Sequence, residues 1–155
     1  MNELTVLAAI EKRRSTKHFK PDPIPDTVLN ALVDAAAEAP SSYNLQPWRV
    51  ILVRSEDKKR ELAAAAWNQA QIIEAPVTFV FAASLQSWKT QMPQVVETAK
   101  AVGAWGTKMI AAIQGVAPGF HKGLGERLRE YTFKDAMIAA THLALAAEAG
   151  RHRCG

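Results

Sequence analysis

Cysteine is nearly missing from this chain of 155 residues, where Cys154 stands alone. No internal disulfide can form, and a thiol beside the C-terminal residue reads as neither a core group nor a nucleophile. Redox work would need a cofactor. Long apolar runs are also lacking. The longest, around residues 77–83, falls well short of the ~18–20 residues that a membrane-spanning helix needs. The chain has no repeat at solenoid spacing, no low-complexity tract and no G-x-S-x-G elbow of a serine hydrolase. His18, His121, His142 and His152 follow no metal-ligand spacing, and His152 with Cys154 could meet a metal only near the chain end, so no metal site is expected. Gly123-Leu124-Gly125 begins a dinucleotide-like pattern but lacks a third glycine and a preceding strand. Charge of one sign does not dominate either. Nineteen basic against fifteen acidic residues leave a net charge of +4, compatible with anionic ligands but too scattered to demand nucleic acid. Glu3 precedes the first apolar residues and Lys12, Arg13 and Arg14 follow them, the reverse of a secretory signal. The expectation is a cytoplasmic protein with no membrane span.

What is present suits one domain over residues 1–155. The apolar fraction of 48% and charged fraction of 22% are those of globular proteins. A chain of this length buries ~68–70% of its unfolded surface. Apolar residues at helical spacing predict a first helix over residues 2–12, with Asn2 as N-cap. Three prolines make residues 19–25 a connector. A second helix is predicted from Asp26 to Ala39, stopping at Pro40. Residues 49–53 read as a strand covered on both faces, residues 56–71 as a helix capped by Ser55, and residues 77–83 as another central strand. Residues 84–114 form a mixed segment, helical after Pro93, in which Trp88 and Trp105 either wall a substrate channel or pack in the core. Gly115, Pro118, Gly119, Gly123 and Gly125 predict a flexible turn region, and residues 126–149 a long helix ended by Gly150. That last helix is apolar on most sides and must be enclosed by its own domain or by a second subunit. His142 on it reads as a core or interface residue. Two strands make a poor sheet. Either another chain completes it, or the sequence stops before its fold is finished.

Two polar clusters interrupt this pattern. Arg13-Arg14-Ser15-Thr16-Lys17-His18-Phe19 places two guanidinium groups, two hydroxyls and an ammonium where they can surround a phosphate. Taken alone it reads more readily as a solvated helix end. Ala39-Pro40-Ser41-Ser42-Tyr43-Asn44-Leu45-Gln46-Pro47-Trp48-Arg49 sets short hydrogen-bonding side chains between two prolines, which alone is a capped turn.

Together, "RRSTKHF" (13–19), "APSSYNLQPWRV" (39–50) and, more weakly, "WNQAQIIEAPVTFVFAA" (67–83) resemble the nitroreductase family of flavin enzymes in order and spacing. The resemblance implies an α+β fold, with helices around a central, mostly antiparallel sheet. It further implies a homodimer with FMN at the interface. By the same resemblance Arg13, Arg14 and Ser15 are phosphate and ribityl ligands, and Lys17 lies near the pyrimidine edge of the flavin. Pro40, Ser41, Ser42 and Asn44 reach the flavin from the other subunit, while Asn68 and Gln71 face its polar edge. Gln71 stands where some members carry lysine. NADH or NADPH would reduce the flavin, which would then reduce a nitroaromatic, a quinone or a similar small acceptor in ping-pong order. No catalytic side chain is nominated. Family members continue past the long helix with further strands and a terminal extension, and "RHRCG" does not follow that pattern. Two other readings stay open: a relative that dimerises or binds flavin weakly without turnover, and a small nucleic-acid-binding domain using residues 13–20.

Overall fold

The computed structural model describes residues 4–150. These form two compact units, one of residues 4–38, 50–81 and 140–150, the other of residues 39–49 and 82–139.

The first unit opens with helix α1, Val6–Lys12. Thr5, not Asn2, caps it, its hydroxyl accepting from the Ala8 N–H at 3.2 Å. Asn2 lies outside the described residues, as do His152 and Cys154. The triple-proline stretch is irregular, as its missing donors require. Helix α2, Asp26–Ala37, buries Leu29 and Ala36, which lie two turns apart on one face. Strand β1, Trp48–Val53, is followed by helix α3, Glu56–Ala65. Ser55 sits at the N-cap position but makes no side-chain cap.

The single helix expected over 56–71 is broken. The Asn68 N–H reaches back to the Ala63 carbonyl at 2.7 Å, closing α3 in the manner of a Schellman ending, with Trp67 in the left-handed position usually given to glycine. A short helix α4, Ala70–Glu74, then leads to strand β2, Thr78–Ala83. Lys59, only 4% exposed, ties α3 to the end of α4. Its ammonium donates to the carbonyls of Ile73 (2.8 Å) and Ala75 (3.0 Å) and pairs with Glu56 (2.9 Å), so all its protons are satisfied.

Strands β1 and β2 pair in a two-stranded sheet. The Ser84 N–H donates to the Pro47 carbonyl at 2.7 Å, joining the residue after β2 to the residue before β1, as an antiparallel pair requires. The expectation that β1 is covered on both faces does not hold within this chain, since Ile51 is 50% exposed.

The second unit contains helices α5, Ser87–Thr90, and α6, Met92–Ala101, with Pro93 in the first turn of α6. Helix α7, Thr107–Leu124, occupies the region predicted to be a flexible turn. Its glycines and Pro118 are intrinsically costly in a helix. They are overridden because Ile110, Ala117 and His121 recur on one buried stripe. Only Gly125, at φ 53°, acts as a stop. Leu45, Met92, Val96, Ile110 and Ala117 form the core of this unit, with Tyr43, Trp88, Trp105 and Ile113 packed on it. Trp88 and Trp105 are thus partly buried and packed on this core. Helix α8, Arg127–Gly150, gives its first half to the second unit and its second half to the first. No helix among the described residues is long and apolar enough to cross a membrane.

Candidate functional site

In the first unit the basic stretch starts as the ending of α1. The Arg13 N–H bonds the Ala9 carbonyl, and Arg14 Nη1 turns back to the carbonyls of Glu11 (2.6 Å) and Arg13 (2.9 Å). A guanidinium at a helix C-terminus satisfies orphan carbonyls and complements the dipole. Residues 13–20 are exposed along their whole length. Glu74, the last residue of α4, anchors the far end: its Oε2 accepts from the Phe19 N–H at 3.2 Å and faces His18 Nδ1 at 3.4 Å. One carboxylate therefore joins the first predicted segment to the third. Asn68 is exposed at φ 53°, and Gln71 Nε2 donates to Gln69 Oε1 at 2.9 Å.

The serine-rich segment folds in the second unit as a 3₁₀ turn at Ser42–Asn44 with Pro40 exposed before it. The Gln46 N–H donates to Ser41 Oγ (2.9 Å), the Asn44 N–H to the Ser41 carbonyl (3.0 Å) and the Leu45 N–H to the Ser42 carbonyl (3.1 Å). Tyr43, Asn44 and Gln46 all have positive φ. With Trp67 and Asn68 they are all the non-glycine residues in that conformation among those described, so positive φ without glycine is confined to two segments that the sequence marked for a ligand. The turn is gripped from both sides. With its amide oxygen turned to Arg49 (2.7 and 2.8 Å), the Gln91 amide nitrogen donates to the carbonyls of Leu45 and Gln46.

The sequence reading missed Asp135. It is 8% exposed on α8 and accepts from the Ser42 N–H at Oδ2 (3.2 Å), with the Ser42 hydroxyl 3.5 Å from Oδ1. Burial raises its pKa above the ordinary carboxylate value; the Ser42 hydrogen bonds and neighbouring His121 oppose this and do not prevail. A signal did exist. Thr132, Asp135, Ala136, Ala139 and Leu143 are all buried at three- and four-residue spacing, so the acid stands in a stripe meant for small and apolar residues. His121 was also passed over. It is 3% exposed, its Nδ1–H donates to the Ala117 carbonyl (2.7 Å), and Trp88 stacks on it at 5.6 Å with Tyr43, Phe120 and Tyr131 around.

Two clefts of the first unit, about 560 and 400 Å³, are lined one by the end of β1 and the start of α3 and the other in part by the proline connector, and none of the sequence-predicted ligands lines either. No cluster of metal-ligating side chains occurs among the described residues.

A helix-rich α+β fold with a strained polar turn and an exposed basic stretch defines the class. The nitroreductase family model matches residues 10–150, and the chain belongs to that family. It is 35% identical over 127 residues to an NADH dehydrogenase of Thermus thermophilus, covering 82% of this chain and 60% of that protein. Among solved structures it is similar to a candidate NAD(P)H:FMN oxidoreductase of Staphylococcus epidermidis (TM-score 0.83, 24% identity, 96% of this chain and 73% of that one). It is also similar to a candidate nitroreductase of Exiguobacterium sibiricum in complex with FMN (TM-score 0.77, 22% identity, 96% and 72%). The chain thus spans about three fifths of the Thermus relative and under three quarters of the two structures.

Proposed function

We propose that this protein is an FMN-dependent oxidoreductase that draws reducing equivalents from NADH or NADPH and delivers them to small electron-poor acceptors such as nitroaromatics or quinones. The observation that carries the reading is the confinement of left-handed non-glycine backbone, among the described residues, to the two loops bearing Asn44 and Asn68. Strain of this kind is held where a ligand must be met in one geometry. The donor set fits the cofactor. Arg13, Arg14 and Lys17 offer charge-assisted donors suited to a phosphate and to an electron-rich ring edge, and Ser15 adds a hydroxyl. Pro40, Ser41, Ser42 and Asn44 form a low-bulk wall that a planar ring can approach, and Asn68 and Gln71 add amides for its polar edge.

FMN, when bound, accepts hydride from the nicotinamide and passes electrons to the acceptor, so no protein nucleophile or general base is required. The residues bind, orient and supply positive charge. Ping-pong turnover follows if donor and acceptor use one cleft in succession. A homodimer is part of this reading, supported by exposed apolar side chains on α1 (Val6, Leu7, Ile10) and α8 (Phe133, Met137, Ile138). The scarcity of cysteine suits a cytoplasmic setting.

The test is visible absorbance. Purified chain mixed with FMN and passed through a desalting column should stay yellow, and the flavin band should bleach under NADH or NADPH and return with a quinone. Colourless protein after desalting, with no flavin fluorescence quenching on titration, refutes the proposal.

A further inference from the structure

Resting on the flavin-binding reading, we propose that Asp135 is a positioning residue for the cofactor: by holding Ser42 from inside the second unit it sets the left-handed turn that presents Ser41 and Asn44 to the ligand. Ser42 is then an anchor of the turn more than a contact of the flavin.

Three fixings surround the turn. At its start the Ser42 N–H is committed to Asp135 Oδ2 at 3.2 Å, and the hydroxyl lies at the limit of hydrogen bonding to Oδ1. At its centre the Tyr43 ring lies 5.6 Å from the buried His121 ring and 6.0 Å from Phe120. At its end Gln91 holds the Leu45 and Gln46 carbonyls. Asn44 is what remains. It is exposed, and its side-chain amide makes no hydrogen bond among the described residues. Ser41 Oγ accepts from Gln46 and keeps its own proton to give.

A purely architectural role explains Asp135 poorly. Burial disfavours its ionised form, as the raised pKa records, so a neutral residue in the same stripe would cost the fold less. A carboxylate can accept the Ser42 N–H and the Ser42 hydroxyl at once, whereas alanine, the residue at the buried positions 136 and 139, accepts nothing. The two residues after Ser42 are left-handed without being glycine, a conformation that persists only when its surroundings impose it.

The experiment uses the full chain and three readouts: FMN titration by fluorescence quenching, thermal unfolding without FMN, and amide hydrogen exchange over residues 42–46. Asp135→Ala should weaken FMN binding about tenfold, the loss of a hydrogen bond to a charged group, and speed exchange across the turn. Asp135→Asn keeps one acceptor oxygen, so it should recover part of both effects while its thermal midpoint equals or exceeds that of the parent. Asn44→Ala should weaken FMN more than Ser42→Ala does. FMN affinity and turn exchange unaltered in both Asp135 variants would overturn the proposal, as would Ser42→Ala costing more than Asn44→Ala. If Asp135→Ala does not fold, Asp135→Asn and Ser42→Ala decide. A parent chain that fails to bind FMN refutes the functional reading, and with it the cofactor role of Asp135; the exchange data would then report only on the clamp.

Discussion

Along residues 13–20 every side chain is exposed, and the segment is tied by Arg14 to its own helix end and by one carboxylate, Glu74, at its far end. Along residues 41–46 the chain is half-buried, left-handed at Tyr43, Asn44 and Gln46, and held by Asp135, an aromatic cluster and Gln91. On the proposed flavin-binding reading the two segments do different physical work. A charged group acts over a Debye length and tolerates imprecise placement, so long cationic side chains in solvent suffice for a phosphate. A hydrogen bond weakens steeply with angle, so a turn that orients a ring must be built into packed structure.

The largest effect expected from breaking this contrast is in the support of the turn. Leu45 follows it directly and is 3% exposed in the core with Met92, Val96 and Ile110. Leu45→Ala should destabilise by about 2–5 kcal/mol, read by urea unfolding, while alanine at Arg13 or Lys17 should change stability by under about 0.5 kcal/mol. Next comes salt. Raising ionic strength should weaken FMN binding in the parent and have less effect once Lys17 or Arg13 is alanine, because exposed charges are screened. The penalty of Asp135→Asn should persist at high salt.

A smaller effect separates the two left-handed loops. Trp67 is 92% exposed at φ 55°, so Trp67→Gly relieves strain and loses little packing; it should stabilise by roughly 0.5–1 kcal/mol. Tyr43→Gly relieves the same strain but gives up its contacts with Phe120 and His121, and should destabilise. Thermal midpoints of the pair check this. The smallest effect is in pH. Because the folded-state pKa of Asp135 is raised, the native chain binds a proton that the unfolded chain has lost between the ordinary value of 3.8 and the raised one. Its contribution to stability is therefore full below that window and declines as pH rises through it. Asp135→Asn should flatten the stability profile there, and Glu74→Gln, at an exposed ion pair, should shift stability by no more than about 1 kcal/mol.

Much of the architecture was readable in advance. Asp26–Ala37 ends before Pro40 as its pattern demands, and β1 and β2 stand within a residue of their predicted starts. The failures have separate causes. Residues 107–124 hold glycines and a proline that locally spell a turn, yet burial of Ile110, Ala117 and His121 outweighs those propensities. The break at Trp67 escaped notice for the converse reason, since a left-handed tryptophan carries no local signature. The stripe around Asp135 signals its burial but not its partner, because Ser42 lies far away in the chain.

Family membership and the identity of the polar segments came from residue type and spacing, which depend only on short stretches of chain. Folding alone revealed that Glu74 links the basic stretch to α4, that His121 is walled in by aromatic rings, and that Asp135 holds the serine-rich turn. These are contacts between residues remote in sequence. Which of them form is settled by how apolar stripes are buried against one another, a property of the whole packed chain that no local window contains.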